Sequence, residues 1–260
     1  MASSLIEDYE KNGFIFVPSV LTRVEVDVLT NDLETTLKAK PEEPRVILEK
    51  DGATPRTVLN PHLYSELYRR LVRHPSILQI VEELLREQVY VFQMGVNCKA
   101  AFSGDIWPWH QDYPAYLQDD HIPSPRMVNA LIFLDDVTSL NSPVMLVPGS
   151  HRSREKTPAV TDQGTSHPYR YAEQTMIKDQ VSAAGIVAPT GQAGSAIFMD
   201  VSTLHGSTAN ISPWTRRLIT VTYNAFSNKA TSPSVRGTHF VPDDRHEPPL
   251  AALDRNCLSM

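Results

Sequence analysis

Cysteine is almost missing from this 260-residue sequence, which holds only Cys98 and Cys257. Two cysteines build neither a disulfide framework nor a Cys-rich zinc site, and they predict a reducing, cytoplasmic setting. Cys257 lies near the end of the sequence, where little order is expected. Basic charge is also in short supply. Lys and Arg number 24 against 30 Asp and Glu, a formal net charge of -6. Without a basic cluster this excludes an ordinary nucleic-acid-binding face. No apolar run approaches the ~20 residues that cross a bilayer. Met1 to Asp8 lacks the basic-then-apolar pattern of a secretory leader. The partner these absences leave is a small molecule rather than nucleic acid or membrane; they fix no oligomeric state. Internal repeats and low-complexity segments are missing too, so residues 1–260 are read as one domain.

What is present is ordinary globular composition, 41% hydrophobic and 21% charged, enough for a sizeable core. Residues 1–88 read as mainly helical. Ser4 with Glu7 and Thr22 with Glu25 have capping-box spacing. Leu29, Leu33 and Leu37 make one stripe, Leu63, Leu67 and Leu71 another after Asn60-Pro61. Ile77, Ile80, Val81, Leu84 and Leu85 follow Pro75 at helical spacing. Phe14–Val17 reads as a short strand. From residue 89 to 226 the texture turns to β, with strands expected at 89–96, 127–135, 143–147, 195–201 and 217–224. Residues 100–126 and 152–190 read as loops, and 227–260 as a C-terminal tail. Helices followed by short strands without βα alternation predict an α+β fold, a double-stranded jelly roll with N-terminal helices packed on it.

His110 and Asp112 form a His-x-Asp pair. On an extended chain such residues point the same way and converge on one ion. Alone the motif is common. With His205, which ends a strand candidate, it gives two imidazoles and a carboxylate. That facial set leaves positions open on iron(II) for a cosubstrate and O2. Arg216 follows eleven residues after His205. If 195–204 and 217–224 are neighbouring antiparallel strands, His205 and Arg216 flank one loop. A planar guanidinium then stands ready for the far carboxylate of a keto diacid that chelates the metal. Arg217 competes for that role; alternation puts the two on opposite faces without saying which face is inside.

The blocks Leu48–Gly52, Gln93–Lys99, Gly104–Tyr113, Leu146–His151, His205–Ser207, Ser212–Arg216 and Val221–Asn224 together resemble the phytanoyl-CoA dioxygenase superfamily of iron(II)/2-oxoglutarate oxygenases. Within it the chain is most similar to the ectoine hydroxylase and trans-4-proline hydroxylase type. The resemblance implies His110, Asp112 and His205 as iron ligands and Arg216 as partner of 2-oxoglutarate. It places Gln93 and Asn97 at the cosubstrate or substrate pocket. Trp109, Tyr113, Tyr116 and Arg126 are candidate substrate contacts. The implied reaction hydroxylates an unactivated C–H bond of a free amino acid or small derivative and yields succinate and CO2. The retained Asp112 argues against halogenation. Oxidation or desaturation of a secondary-metabolite scaffold, and an inert binding module, stand as alternatives. The chain departs from its relatives at Asp119–Ile122, where they carry Glu-Asp-Gly-Met, and at Ser142, where they carry glycine.

Overall fold

A computed structural model describes residues 3–38, 45–153, 160–162, 169–238, 240–242 and 248–259. Its elements are α1 (Ser3–Asn12), β1 (Phe14–Val17), α2 (Arg23–Lys38), β2 (Val46–Leu48), β3 (Pro55–Leu59), α3 (Glu66–Leu71), α4 (Pro75–Leu85), β4 (Val89–Lys99), β5 (Trp107–His110), α5 (Tyr113–Gln118), β6 (Met127–Phe133), β7 (Met145–Leu146), β8 (Val160–Asp162), β9 (Tyr169–Tyr171), α6 (Gln174–Ala184), β10 (Ala196–Asp200), β11 (His205–Ser207) and β12 (Arg216–Ala225).

Seven strands form the major sheet in the order β1-β10-β6-β12-β4-β3-β2, and β5-β11-β7 form a minor sheet. Every pairing in both is antiparallel. This is the α+β jelly roll, and its site lies between the two sheets. Side chains alternate across a strand, so one face of the major sheet meets the helices and the other meets the cavity. The helix side carries the main core, in which Leu29, Leu33, Leu71, Ile77 and Val81 pack on Val96, Ile132 and Val221. Those are the stripes that the leucine and isoleucine spacing marks out.

Several details differ from expectation. Residues 46–59 add a hairpin, β2-β3, to the sheet edge within the stretch read as helical. The 61–71 stripe is not one helix. A 3-10 turn, Pro61–Leu63, follows a left-handed Asn60, and Ser65 is extended before α3, so Leu63 stays exposed. Helix α1 begins at Ser3, which puts Ser4 inside it rather than at a cap. The loop at 100–126 contains β5 and α5, and the one at 152–190 contains α6; its residues 154–159 and 163–168 lie outside those described. Strands β10 and β12 are not neighbours, because β6 runs between them. Near the C-terminus, Leu258 is fully buried and Cys257 packs on the main core, so that region is ordered. Among the described residues no helix is long and apolar enough to cross a membrane.

Candidate metal centre and substrate cavity

His110 ends β5 and His205 begins β11, and the two are direct cross-strand partners. Their rings stand 4.2 Å apart between centroids. Asp112 reaches the same point by a route different from the extended chain expected. Its backbone is helical, at φ -77 and ψ -38, ahead of α5. The turn is fixed by Val201, whose carbonyl accepts from the backbone N–H of both Asp112 and Tyr113 at 3.0 and 3.1 Å. One potential ligand atom from each of His110, Asp112 and His205 lies within 4.8 Å of the others.

Partners around these three orient them for an ion. The Nδ1 of His110 sits 2.6 Å from the Pro108 carbonyl, and that of His205 2.9 Å from the Thr203 carbonyl. Each carbonyl takes the Nδ1 proton, which leaves the Nε2 lone pair free to coordinate. Both Nε2 atoms face Asp112, at 3.4 and 3.8 Å from its oxygens. Asn129 on β6 donates to Asp112 Oδ2 at 2.6 Å and accepts from Thr222 Oγ1 at 2.7 Å. Burial works to raise the Asp112 carboxyl, but His205 and His110 outweigh it and hold it at about 2, the ionised form a ligand needs. Burial, with His110 adding to it, drives the His205 imidazole down to about 4. Two neutral-capable imidazoles, one carboxylate and fixed ring orientations fit a divalent transition metal of the facial-triad kind.

Arg216 begins β12 and is 2% exposed. Its Nε donates to the Ser142 carbonyl at 3.1 Å, and an Nη reaches Ser207 Oγ at 3.4 Å. Arg217 faces the other way and grips Asp135 with two nitrogens, at 2.9 and 2.7 Å. Burial pulls the Arg216 guanidinium down to about 10, so it remains a cation at neutral pH. Lys99, its partner across β4, is pulled to about 6 by burial and by Arg216 and Arg56. It donates to the carbonyls of Asp105 and Thr208. Ser142 has a φ of 65°, the left-handed region that favours glycine. Its hydroxyl bonds to the Thr208 carbonyl, a contact that glycine cannot make.

A cavity of about 490 Å³ joins these groups. Gln93, Asn97 and Tyr116 line it along with the triad and Arg216. Gln93 donates to Tyr116 Oη at 3.1 Å; Asn97 accepts from Thr57 Oγ1 at 3.0 Å. Three expected contacts lie outside this lining. Trp109 packs on Val147 and Leu204, and Tyr113 joins the cluster of Tyr90 and Phe92. Arg126 is on the surface, paired with Glu87 at 2.7 Å. Alternation explains Trp109, which neighbours the inward His110. Trp107 does line the cavity, because a bulge between the β5 and β11 partners breaks that alternation.

Sequence reasoning missed Asn129, Arg236, Asp119 and Arg170. Arg236 comes from the stretch read as a tail. It binds the fully buried Asp120 with two nitrogens and reaches Gln93 Oε1 at 3.2 Å. Asp119 and Arg170 form a bidentate pair at the cavity wall, at 3.1 and 2.7 Å. The departure noted at Asp119–Ile122 was the one available signal for this region.

An ectoine dioxygenase from Bordetella bronchiseptica is 31% identical over 90% of this chain and 78% of its own length. An L-proline trans-4-hydroxylase from Streptomyces griseoviridis is 32% identical over 96% of this chain and 95% of its own. The crystal structure of EctD from S. alaskensis with bound Fe superposes with a TM-score of 0.86 at 26% identity, covering 99% of this chain and 89% of that one. Residues 9–218 match the family Phytanoyl-CoA dioxygenase (PhyH), and the chain belongs to that family.

Proposed function

We propose that the chain is an iron(II)- and 2-oxoglutarate-dependent dioxygenase. In this reading it hydroxylates an unactivated C–H bond of a free amino acid or small derivative, proline- or ectoine-like, and releases succinate and CO2. The observation that carries the reading is one cavity holding both a His-Asp-His set and a desolvated arginine. His110, Asp112 and His205 would hold the iron, which supplies the oxidising chemistry with O2 and the keto acid when bound. Ser207, beside Arg216, lies two residues along β11 from His205. Two strand residues span roughly 7 Å, a length suited to a five-carbon diacid lying between metal and guanidinium. Arg216 takes the far carboxylate in a site where Ser142 and Ser207 fix its plane. Burial strengthens that charge pairing, because little water competes for it.

Further charged groups in the cavity lining support a zwitterionic substrate. Arg236, paired with the buried Asp120, and Asp119, shared with Arg170, place charged groups of both signs there. Tyr116, buried between Phe92 and Gln93, forms part of the wall that keeps water out. The two cysteines are unpaired thiols, in keeping with a cytoplasmic setting. The main core draws on residues from Tyr9 to Leu258, which supports one domain over 1–260.

The test is anaerobic titration with iron(II) and 2-oxoglutarate. A visible charge-transfer band should form. On exposure to air with a panel of amino acids, a product should gain one oxygen. His110→Ala should remove both band and turnover. A wild-type protein that forms no band is the inert binding module instead.

A further inference from the structure

Gly95 sits in the middle of β4, an interior strand of the major sheet, where glycine is costly. It weakens a strand by about 0.5–1 kcal/mol relative to alanine. The backbone gives no reason for it. Gly95 is not among the glycines with positive φ. It pairs in regular register with Thr220 on one side and Leu59 on the other, away from the bulge opposite Thr222 and Tyr223. A Cβ built on it would meet only Thr57 Cγ2 at 3.4 Å and the Val58 carbonyl at 3.6 Å, both ordinary contacts. What the missing side chain leaves is space, and that space belongs to the cavity.

Register says which part of the cavity it is. Leu59, Gly95, Thr220 and Leu131 form one row across β3, β4, β12 and β6, and all four line the cavity. Leu218 and Thr220 lead along β12 from Arg216 toward Thr222, which supports Asp112 through Asn129. A keto diacid held between metal and Arg216 would therefore lie over β12. Of the two neighbours of β12, β6 offers only apolar Leu131 and an Asn129 already engaged with Asp112 and Thr222, so β4 and β3, about 4.8 Å further across each, floor the half left for the substrate. That half is polar at Gln93 and Arg236 and apolar at Leu59, Ile47 and Phe240.

We infer that Gly95 is a specificity-determining position that enlarges the substrate half. It admits an amino acid with a larger ring or an apolar ring substituent, which lies over Gly95 toward Leu59 and Ile47 while its carboxylate end faces Arg236. This rests on the amino-acid hydroxylase reading. Side chains added at Gly95 fill the space from below and act on substrate size, not on the iron or the keto acid.

The experiment compares kcat/KM for proline with that for pipecolic acid and an alkyl-substituted proline, using wild type, Gly95→Ala and Gly95→Val. Thermal melting checks that each variant is folded. The ratio of larger substrate to proline should fall stepwise, by about tenfold or more at valine, as a methyl or two in a fitted pocket does. The loss should appear mainly in KM. An unchanged ratio in folded Gly95→Ala and Gly95→Val overturns the inference, as does a wild type that rejects both larger substrates while turning over proline. If valine prevents folding, the alanine ratio decides alone. A wild type that forms the charge-transfer band but oxidises no amino acid overturns the functional reading itself, and this inference with it.

Discussion

Asn129 does its work with one amide. Its nitrogen holds Asp112 and its oxygen accepts the Thr222 hydroxyl, and the residue is 2% exposed. Asn129→Ala would free the carboxylate to rotate and remove one of the bonds that the buried Thr222 hydroxyl makes. Metal affinity should weaken by about 10–100-fold, measured by anaerobic titration with cobalt(II) or iron(II). An affinity equal to wild type would mean that Asp112 is oriented some other way. His110, Asp112 and His205, whose ligand atoms the fold brings within 4.8 Å of one another, could be picked out from sequence only jointly, because His-x-Asp is common and the third imidazole and the surrounding blocks supplied the weight. Alternation put Arg216 and Arg217 on opposite faces, but only the family resemblance favoured Arg216, because nothing in the spacing says which face is inside. Asn129 and Arg236 were not readable. Their partners lie 17 and 116 residues away, and an asparagine or arginine carries no signal of what it will face. Trp109 and Tyr113 attracted attention by standing next to the motif. Trp109 lies in β5, where the immediate neighbour of an inward residue points outward, whereas Tyr113 opens α5 and turns toward Tyr90 and Phe92.

At the scale of elements, the start of α2 shows local chemistry in full. Thr22 N–H donates to Glu25 at 2.7 Å, and Glu25 N–H donates back to Thr22 Oγ1 at 3.3 Å. The other oxygen of Glu25 meets His74 Nε2 at 3.1 Å, so the cap also ties α2 to the chain before α4. Thr22→Ala should lower stability by about 1 kcal/mol, read as a shift of the denaturant midpoint, and leave turnover unaltered. A midpoint that does not move would show the cap to be idle. Helices with apolar stripes, α2 and α4, were legible for the same reason that they are stable. Helix α6 was hidden because only Met176 of its residues is buried, so periodicity had little to register. Strands β2 and β3 were hidden by brevity. Three and five residues at a sheet edge carry too little alternation to stand apart from a loop.

For the whole molecule, the jelly roll was legible in class but not in strand order. Nothing local in 127–133 announces that it will run between β10 and β12. The resulting arrangement divides the centre between layers. His110 and His205 belong to the minor sheet, while Asn129 and Thr222, which steady Asp112, belong to the major one. An ion bound by all three ligands therefore joins one layer to the other through Asp112. Loading with iron(II) or an inert divalent substitute should raise the melting temperature. Saturation at a hundredfold over Kd adds about 2.7 kcal/mol, roughly 5–10 °C for a chain of this size. His110→Ala should erase most of the rise; a wild type that melts at one temperature with and without metal would count against the link.

That division of ligands has a practical side. Protein prepared in a chelating buffer has lost a rivet between its halves as well as its reactivity. Its early melting and poor shelf life will then report on the buffer and not on the sequence.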